Sequence, residues 1–492
     1  MRFYYFHNNN LYNLFSFKKI QIDYNFTERF RITKDLLTVL TNDNKFKIDN
    51  PKLKALVLTF LYKYIYENVT GLYIILKSRK ELDKSTFVIR KGNAKIFKIK
   101  EINDLNIISN HGLFYLVIMF LGYYRLGLKK NISQKYQHVI VLIKNDILST
   151  RIWNLLTRKI NLKNSIVDDN YFGFLLKDYF MPLPEIINAL NELRIYKKIL
   201  GYSFYIKTKF YLISGFKFLR MNPSKYFITF EQNTISYMVL SYVAEKMNVV
   251  SVSISHAVIN GNYKRHMAFD YCLLYGKSSE ESYQRKDSVI SGKIFKTGAP
   301  IMESLFSNIH VPSEWKNKVL FLTDYITEFG YDIKNVHLEK NSLIKKLITE
   351  YPEITLTVKY HPAKINPYSQ SILSDCKNVI FKQNVSIHDE IDNTDLVICD
   401  GWSSSGLETA IRKRPLFVLN VKQEREDLYK YYESGYAYNI YNEETLFCSF
   451  ESVKSSVGII NEKARNELIN YHLEYLDSIA ATSRTLETIL AA

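Results

Sequence analysis

The sequence predicts an α/β protein: two doubly wound domains facing a cleft, behind an extra N-terminal α+β segment. Three observations carry this. From residue 138 onward, compact apolar runs that end in polar residues alternate with stretches of helical periodicity. The series restarts after Gly298-Ala299-Pro300. The chain has 492 residues, 47% hydrophobic and 23% charged, enough for several buried cores and too apolar for a disordered protein.

The elements follow in order. His138 to Lys144 reads as a buried parallel strand, and Ile147 to Leu162 as a helix, with Asn145-Asp146 as the turn between them. Lys225 to Phe230 is a strand, Thr234 to Met247 a helix, Val249 to Ile254 a strand, and Phe269 to Tyr275 another. The second series has strands over Lys318–Leu322, Ile354–Lys359, Asp395–Cys399 and Leu416–Leu419, with helices over Asn341–Glu350 and Leu407–Arg412. The expected division is a basic accessory segment over 1–130, a first acceptor-side domain over 131–305, and a second nucleotide-donor domain over 306–492.

Charge is uneven. Residues 1–130 hold 23 Lys+Arg against 10 Asp+Glu, and residues 131–492 hold 43 against 39. A local basic surface suits a polyanion or an anionic membrane face rather than a protein basic all over for nucleic acid; a codon bias is the bland origin. The most apolar run, Leu113 to Tyr124, is about 12 residues, short of the roughly 20 that span a bilayer. It reads as a buried core helix, with an interfacial helix as the alternative. No secretory signal is legible at Met1-Arg2-Phe3. Cys272, Cys376, Cys399 and Cys448 form neither a disulfide framework nor zinc-ligand spacing. The expected location is cytoplasmic, peripheral at the inner face of the plasma membrane.

Ligands of open α/β sheets bind outside the carboxyl ends of the strands, and the polar punctuation falls there. Asp400-Gly-Trp-Ser-Ser-Ser-Gly406 precedes a helix. Free N–H groups and the hydroxyls of Ser403, Ser404 and Ser405 suit a phosphate, and Glu408 suits sugar or ribose hydroxyls. The structural alternative is a capping box, with Ser405 as N-cap and Glu408 at the third helical position. Lys359-Tyr360-His361-Pro362 ends a strand, so Lys359 and His361 are further phosphate donors. His256 and Glu231, at strand ends of the first domain, are rival catalytic bases. No DxD with following ligands stands at a strand end, so no metal and no other cofactor is expected.

Taken together, Glu231 to Ile259, FDYCLLYG (269–276), KTGAP (296–300), KYHP (359–362) and DLVICDGWSSSGLETAIRKRP (395–415) resemble bacterial surface-polysaccharide glycosyltransferases of the GT-B fold. That group includes capsule-type Kdo transferases, sialyl- and polysialyltransferases, and CDP-glycerol glycerophosphotransferases. The resemblance spans about 230–420. It implies a GT-B-like pair of Rossmann-like domains and a metal-independent transferase. This would move a sugar or sugar-like group from a nucleotide-activated donor, CMP or CDP before UDP, to a surface-polysaccharide or lipid-linked acceptor. It puts His361 and Ser403 to Ser405 on the donor phosphate. His256-Ala257 stands where the family commonly has His-Gly, and the acidic base motif of sialyltransferases is absent, Asp168-Asp169-Asn170 being the nearest string. The alternatives are a nucleotide-sugar 2-epimerase of the same fold and a non-catalytic polyanion- or membrane-binding protein.

Overall fold

A computed structural model describes residues 48–59, 137–143, 147–160, 164–168, 197–230, 235–257, 266–284, 288–323, 333–361, 365–400, 403–421, 427, 429–457 and 459–492, with residues 188 and 191 and short strand pieces within 4–23 and at 88–89. Glu231, Gly401, Trp402 and the run Leu113 to Tyr124 lie outside the described residues, as does most of 1–130.

Two six-stranded, wholly parallel sheets form the body. The first holds β1 (Gln137–Ile143), β2 (Asn164–Asp168), β3 (Ser224–Thr229), β4 (Val250–Ile254), β5 (Tyr271–Leu274) and β6 (Lys293–Lys296) in the order β6-β5-β4-β3-β1-β2. The second holds β7 (Lys318–Leu322), β8 (Thr355–Lys359), β9 (Val379–Lys382), β10 (Leu396–Asp400), β11 (Leu416–Leu419) and β12 (Tyr438–Ile440) in the order β9-β8-β7-β10-β11-β12. The expected fold class is therefore observed. Central strands are buried on both faces: Val139, Ile140, Val141 and Leu142 in β1, and Leu396, Val397, Ile398 and Cys399 in β10.

Among the described residues, the helices that surround the two sheets are α1 (Ile147–Thr157), α2 (Lys197–Met221), α3 (Ile235–Lys246), α4 (Lys277–Tyr283), α5 (Ile333–Glu350), α6 (Pro367–Leu373), α7 (Ile387–Asp392), α8 (Ser405–Ile411), α9 (Glu443–Ser455), α10 (Glu462–His472) and α11 (Ser478–Ala491), beside a helical stretch over 51–59. The expected helix over Asn341–Glu350 is the last part of α5. Helix α2 was not anticipated. Its Gly215 lets the backbone approach α3, where an added Cβ would lie 3.3 Å from Val243 Cγ2.

The last helix returns to the first sheet. Leu486, Ile489 and Leu490 of α11 share one core with Val139, Trp153 and Ile228. Conversely, Tyr275, just beyond β5, is buried in a core shared with Leu407, Ala410 and Tyr429 of the second sheet's side. The crossing is tight: a Cβ on Gly276 would lie 2.5 Å from the His472 carbonyl oxygen, and Glu474 N donates to Tyr275 O at 2.9 Å. His472 bridges the two halves, Nδ1 to Ser278 Oγ and Nε2 to Tyr429 O, both at 2.8 Å.

Two buried arginines at the end of α8 fix the linker between sheets. Arg412 holds Asp392 through Nε and Nη2 at 2.6 Å each and donates to the carbonyls of Leu305 and Ser307. Arg414 donates to Thr394 O, His310 O and Asp392 O. The helical stretch 51–59, within the basic segment, packs on the first sheet's side. Lys52, almost wholly buried, pairs with Asp270 at 2.8 Å, and Ser251 donates to the same carboxylate through N (2.8 Å) and Oγ (2.7 Å). Asp270 of the FDYCLLYG string thus serves architecture.

Candidate active site

The second sheet reverses its winding between β7 and β10, so its crevice opens outside the ends of those strands, with β8 alongside. Lys359 ends β8. It is 6% exposed, and its ammonium donates to Tyr360 O at 3.4 Å. Burial holds its pKa below the ordinary lysine value, against the opposing pull of Glu408 and Glu390. Its backbone is fixed independently, because Thr323 donates to Lys359 O through N (3.1 Å) and Oγ1 (3.3 Å). His361, more exposed, has its imidazole pKa lowered by local desolvation and then by the Lys359 charge.

The serine loop follows β10. Ser404 is the N-cap of α8, at φ −63 and ψ −15, and makes no side-chain cap bond. The capping box with Ser405 as N-cap, the structural alternative for this loop, is therefore not formed. Ser403 Oγ accepts from Ser405 N at 3.3 Å, and Glu408 turns instead to His388 of α7, whose Nε2 meets Glu408 Oε2 at 2.9 Å. The helix does not need Glu408 because Tyr431 supports its start: the tyrosine hydroxyl donates to Ser403 O at 2.8 Å and accepts from Leu407 N at 3.1 Å. Gly406 is required there, since a Cβ would lie 2.5 Å from Tyr431 Cζ.

The structure brings Lys359, Glu408 and Ser403 to Ser405 to one end of the second sheet, with His361 one residue beyond Tyr360. Tyr275 reaches the same region from the other side. Its hydroxyl is buried without a hydrogen-bond partner among the described residues, and burial and then the Glu408 charge raise its pKa. On the first sheet, His256 follows β4, and its Nδ1 contacts Phe230 O at 2.5 Å. A carbonyl only accepts, so Nδ1 carries the proton and Nε2 is left as an acceptor. Sequence reasoning missed His388, Tyr275 and Tyr431. Their partners come from other elements, and the one local signal is a histidine two positions after the N-cap Ser386. Among the described residues, no grouping of His, Cys, Asp and Glu is arranged to hold a metal ion, and no helix is long and apolar enough to cross a membrane.

No family model matches the chain, and no curated protein matches it. Solved structures do. S. aureus MnaA with UDP is 12% identical with a TM-score of 0.47, covering 72% of this chain and 96% of its own. The UDP-GlcNAc 2-epimerase of Neisseria meningitidis bound to UDP-GlcNAc has the same identity and score, covering 73% and 100%. The wall teichoic acid polymerase TagF is 12% identical with a TM-score of 0.42, covering 78% and 97%.

Proposed function

We propose that the chain is a glycosyltransferase that takes a sugar or sugar-like group from a nucleotide-activated donor and delivers it to a surface-polysaccharide or lipid-linked acceptor. One observation carries the reading: a desolvated cation, Lys359, lies within electrostatic reach of the carboxylate of Glu408, at the winding reversal of a parallel sheet. A buried, under-satisfied ammonium is stabilised by an anion, and a neighbouring carboxylate suits hydroxyl donors. A nucleotide-linked sugar supplies both.

Charge that develops on the departing nucleotide phosphate is met by Lys359, by the N–H of a neutral His361, and by the hydroxyls of Ser403 to Ser405. Donors of this kind, already in place, each lower a barrier by about 3–4 kcal/mol. His256, with Nε2 as acceptor, takes the proton of the acceptor hydroxyl; Glu231 remains its rival. Nothing among the described site residues selects cytidine over uridine. The basic segment attaches the protein to an anionic membrane face.

The test is calorimetry with CMP, CDP, UDP and GDP, followed by turnover of the matching nucleotide-sugar with and without glycan acceptor. Transfer requires an acceptor. Epimerisation of the nucleotide-sugar alone identifies the 2-epimerase reading instead, and binding of no nucleotide sinks both.

A further inference from the structure

Glu408 is the least satisfied acid of the site. Its side chain is 15% exposed, Oε2 is taken by His388 Nε2 at 2.9 Å, and Oε1 accepts no hydrogen bond among the described residues. Two other groups with unused hydrogen-bonding capacity lie in its field: the Lys359 ammonium, whose ion-pairing range holds no carboxylate among the described residues, and the buried Tyr275 hydroxyl. A half-used carboxylate that still reaches solvent, in the field of a buried hydroxyl without a partner among the described residues, is a place where a ligand's hydroxyl groups complete the hydrogen bonding.

We propose that His388 is a positioning residue, resting on the nucleotide-donor reading above: it holds Glu408 by Oε2 so that Oε1 meets the hydroxyl-bearing part of the nucleotide, while Lys359 meets its phosphates. His388 stands on a different helix from Glu408. That helix is anchored by the Ser386 N-cap, which accepts from Asp389 N, and by Glu390, which Lys382 Nζ holds at 2.8 and 2.9 Å. The imidazole therefore ties the carboxylate to a second helix, itself joined to the end of α8 through Asp392 and Arg412.

The test separates the two halves of the ligand. Calorimetry is run with UDP, with CDP and with inorganic pyrophosphate on wild type, His388→Leu and His388→Gln, with thermal unfolding as control. Wild type binds a nucleoside diphosphate more tightly than pyrophosphate. His388→Leu weakens that nucleotide by about tenfold, the worth of one hydrogen bond to a charged group, and leaves pyrophosphate unchanged. His388→Gln, which restores an N–H donor, recovers most of the loss. Equal nucleotide affinity in wild type and His388→Leu overturns the inference while leaving the donor reading intact. Parallel loss of nucleotide and pyrophosphate also overturns it, since a collapsed site weakens both. Wild type that binds neither of these nucleotides, nor CMP or GDP, removes the donor reading and this inference with it.

Discussion

Two buried lysines stand at opposite ends of the molecule's logic. Lys52, on the stretch 51–59, has Asp270 at 2.8 Å, Ser251 Oγ at 3.3 Å and Ser241 O at 3.5 Å. Lys359, at the end of β8, has a single weak bond to its neighbour's carbonyl. The first is a closed network joining an N-terminal helix to the first sheet. The second is an open one, held in place through its backbone and short of partners at its tip. Burial alone therefore does not mark a functional charge; burial with unfilled hydrogen-bonding capacity does.

The largest effect that sharpens this contrast is Lys359→Met. Removing a desolvated, under-satisfied cation leaves thermal stability unchanged or raises it by about 1 kcal/mol. It lowers turnover about 10²- to 10³-fold, the loss expected for one charge-stabilising donor. The pH dependence follows. With its pKa below the ordinary lysine value, Lys359 loses its charge at lower pH than a solvated lysine. Phosphate affinity falls as pH rises through that value, while folding stability rises through the same window. Urea unfolding and calorimetry between pH 7 and 10 check both slopes. A fall in stability with rising pH that Lys359→Met abolishes would show that the Lys359 ammonium is satisfied in the folded protein.

Asp270→Ala is the converse change. It strands the Lys52 charge in the core and costs about 3 kcal/mol of unfolding free energy, the low end for breaking a buried pair, because Asp270 is one-third exposed. Nucleotide affinity of the folded protein stays at the wild-type value. Chemical denaturation and calorimetry on the same preparation test the pair of outcomes, and a selective loss of affinity would break the comparison.

These contrasts also explain what the sequence could disclose. β1, β7, β10 and β11 were legible because their runs are buried on both faces. The strands Lys293–Lys296 and Val379–Lys382 were not, because each lies at a sheet edge, is short and partly exposed, and ends in a lysine. Lys359, His361 and the serine loop were legible because strand ends announce themselves through polar punctuation. The roles of Asp270, Arg412 and Arg414 were not: all lie in the motif strings, yet their partners are distant in sequence. His388 and Tyr275 escaped for the same reason, one bonded to Glu408 from another helix and the other lying in its field from across the lobe junction.

His472 is a titratable group on the closed side of the comparison. Nε2 donates to Tyr429 O, which leaves Nδ1 to accept from Ser278 Oγ, so the neutral ring is fully used. Burial, opposed by the Tyr429 bond and reinforced by Lys430, pushes its pKa down to about 4. The unfolded chain takes up the proton near pH 6.5, so the contribution is whole above that value and fades as pH falls towards 4, by about 3 kcal/mol in total. His472→Gln should flatten the stability curve over pH 6.5–4 relative to wild type in urea unfolding. Parallel curves would show that the junction does not sense this ring.

The smallest effect tests which side Tyr431 belongs to. Its hydroxyl is wholly buried, and it satisfies Ser403 O and Leu407 N beneath the serine loop. By the rule drawn from Lys52, a closed group of this kind supports architecture even next to a site. Tyr431→Phe keeps the ring that Gly406 packs against and deletes only the hydroxyl. The expected cost is about 1 kcal/mol of stability, that of an ordinary hydrogen bond, with nucleotide affinity held within about threefold. Leu407 N retains its bond to Ser404 O at 3.0 Å, so α8 still starts in place. A hundredfold loss of affinity at unchanged stability would instead make the hydroxyl part of the ligand's own surroundings. Completeness of hydrogen bonding would then no longer distinguish the frame from the site.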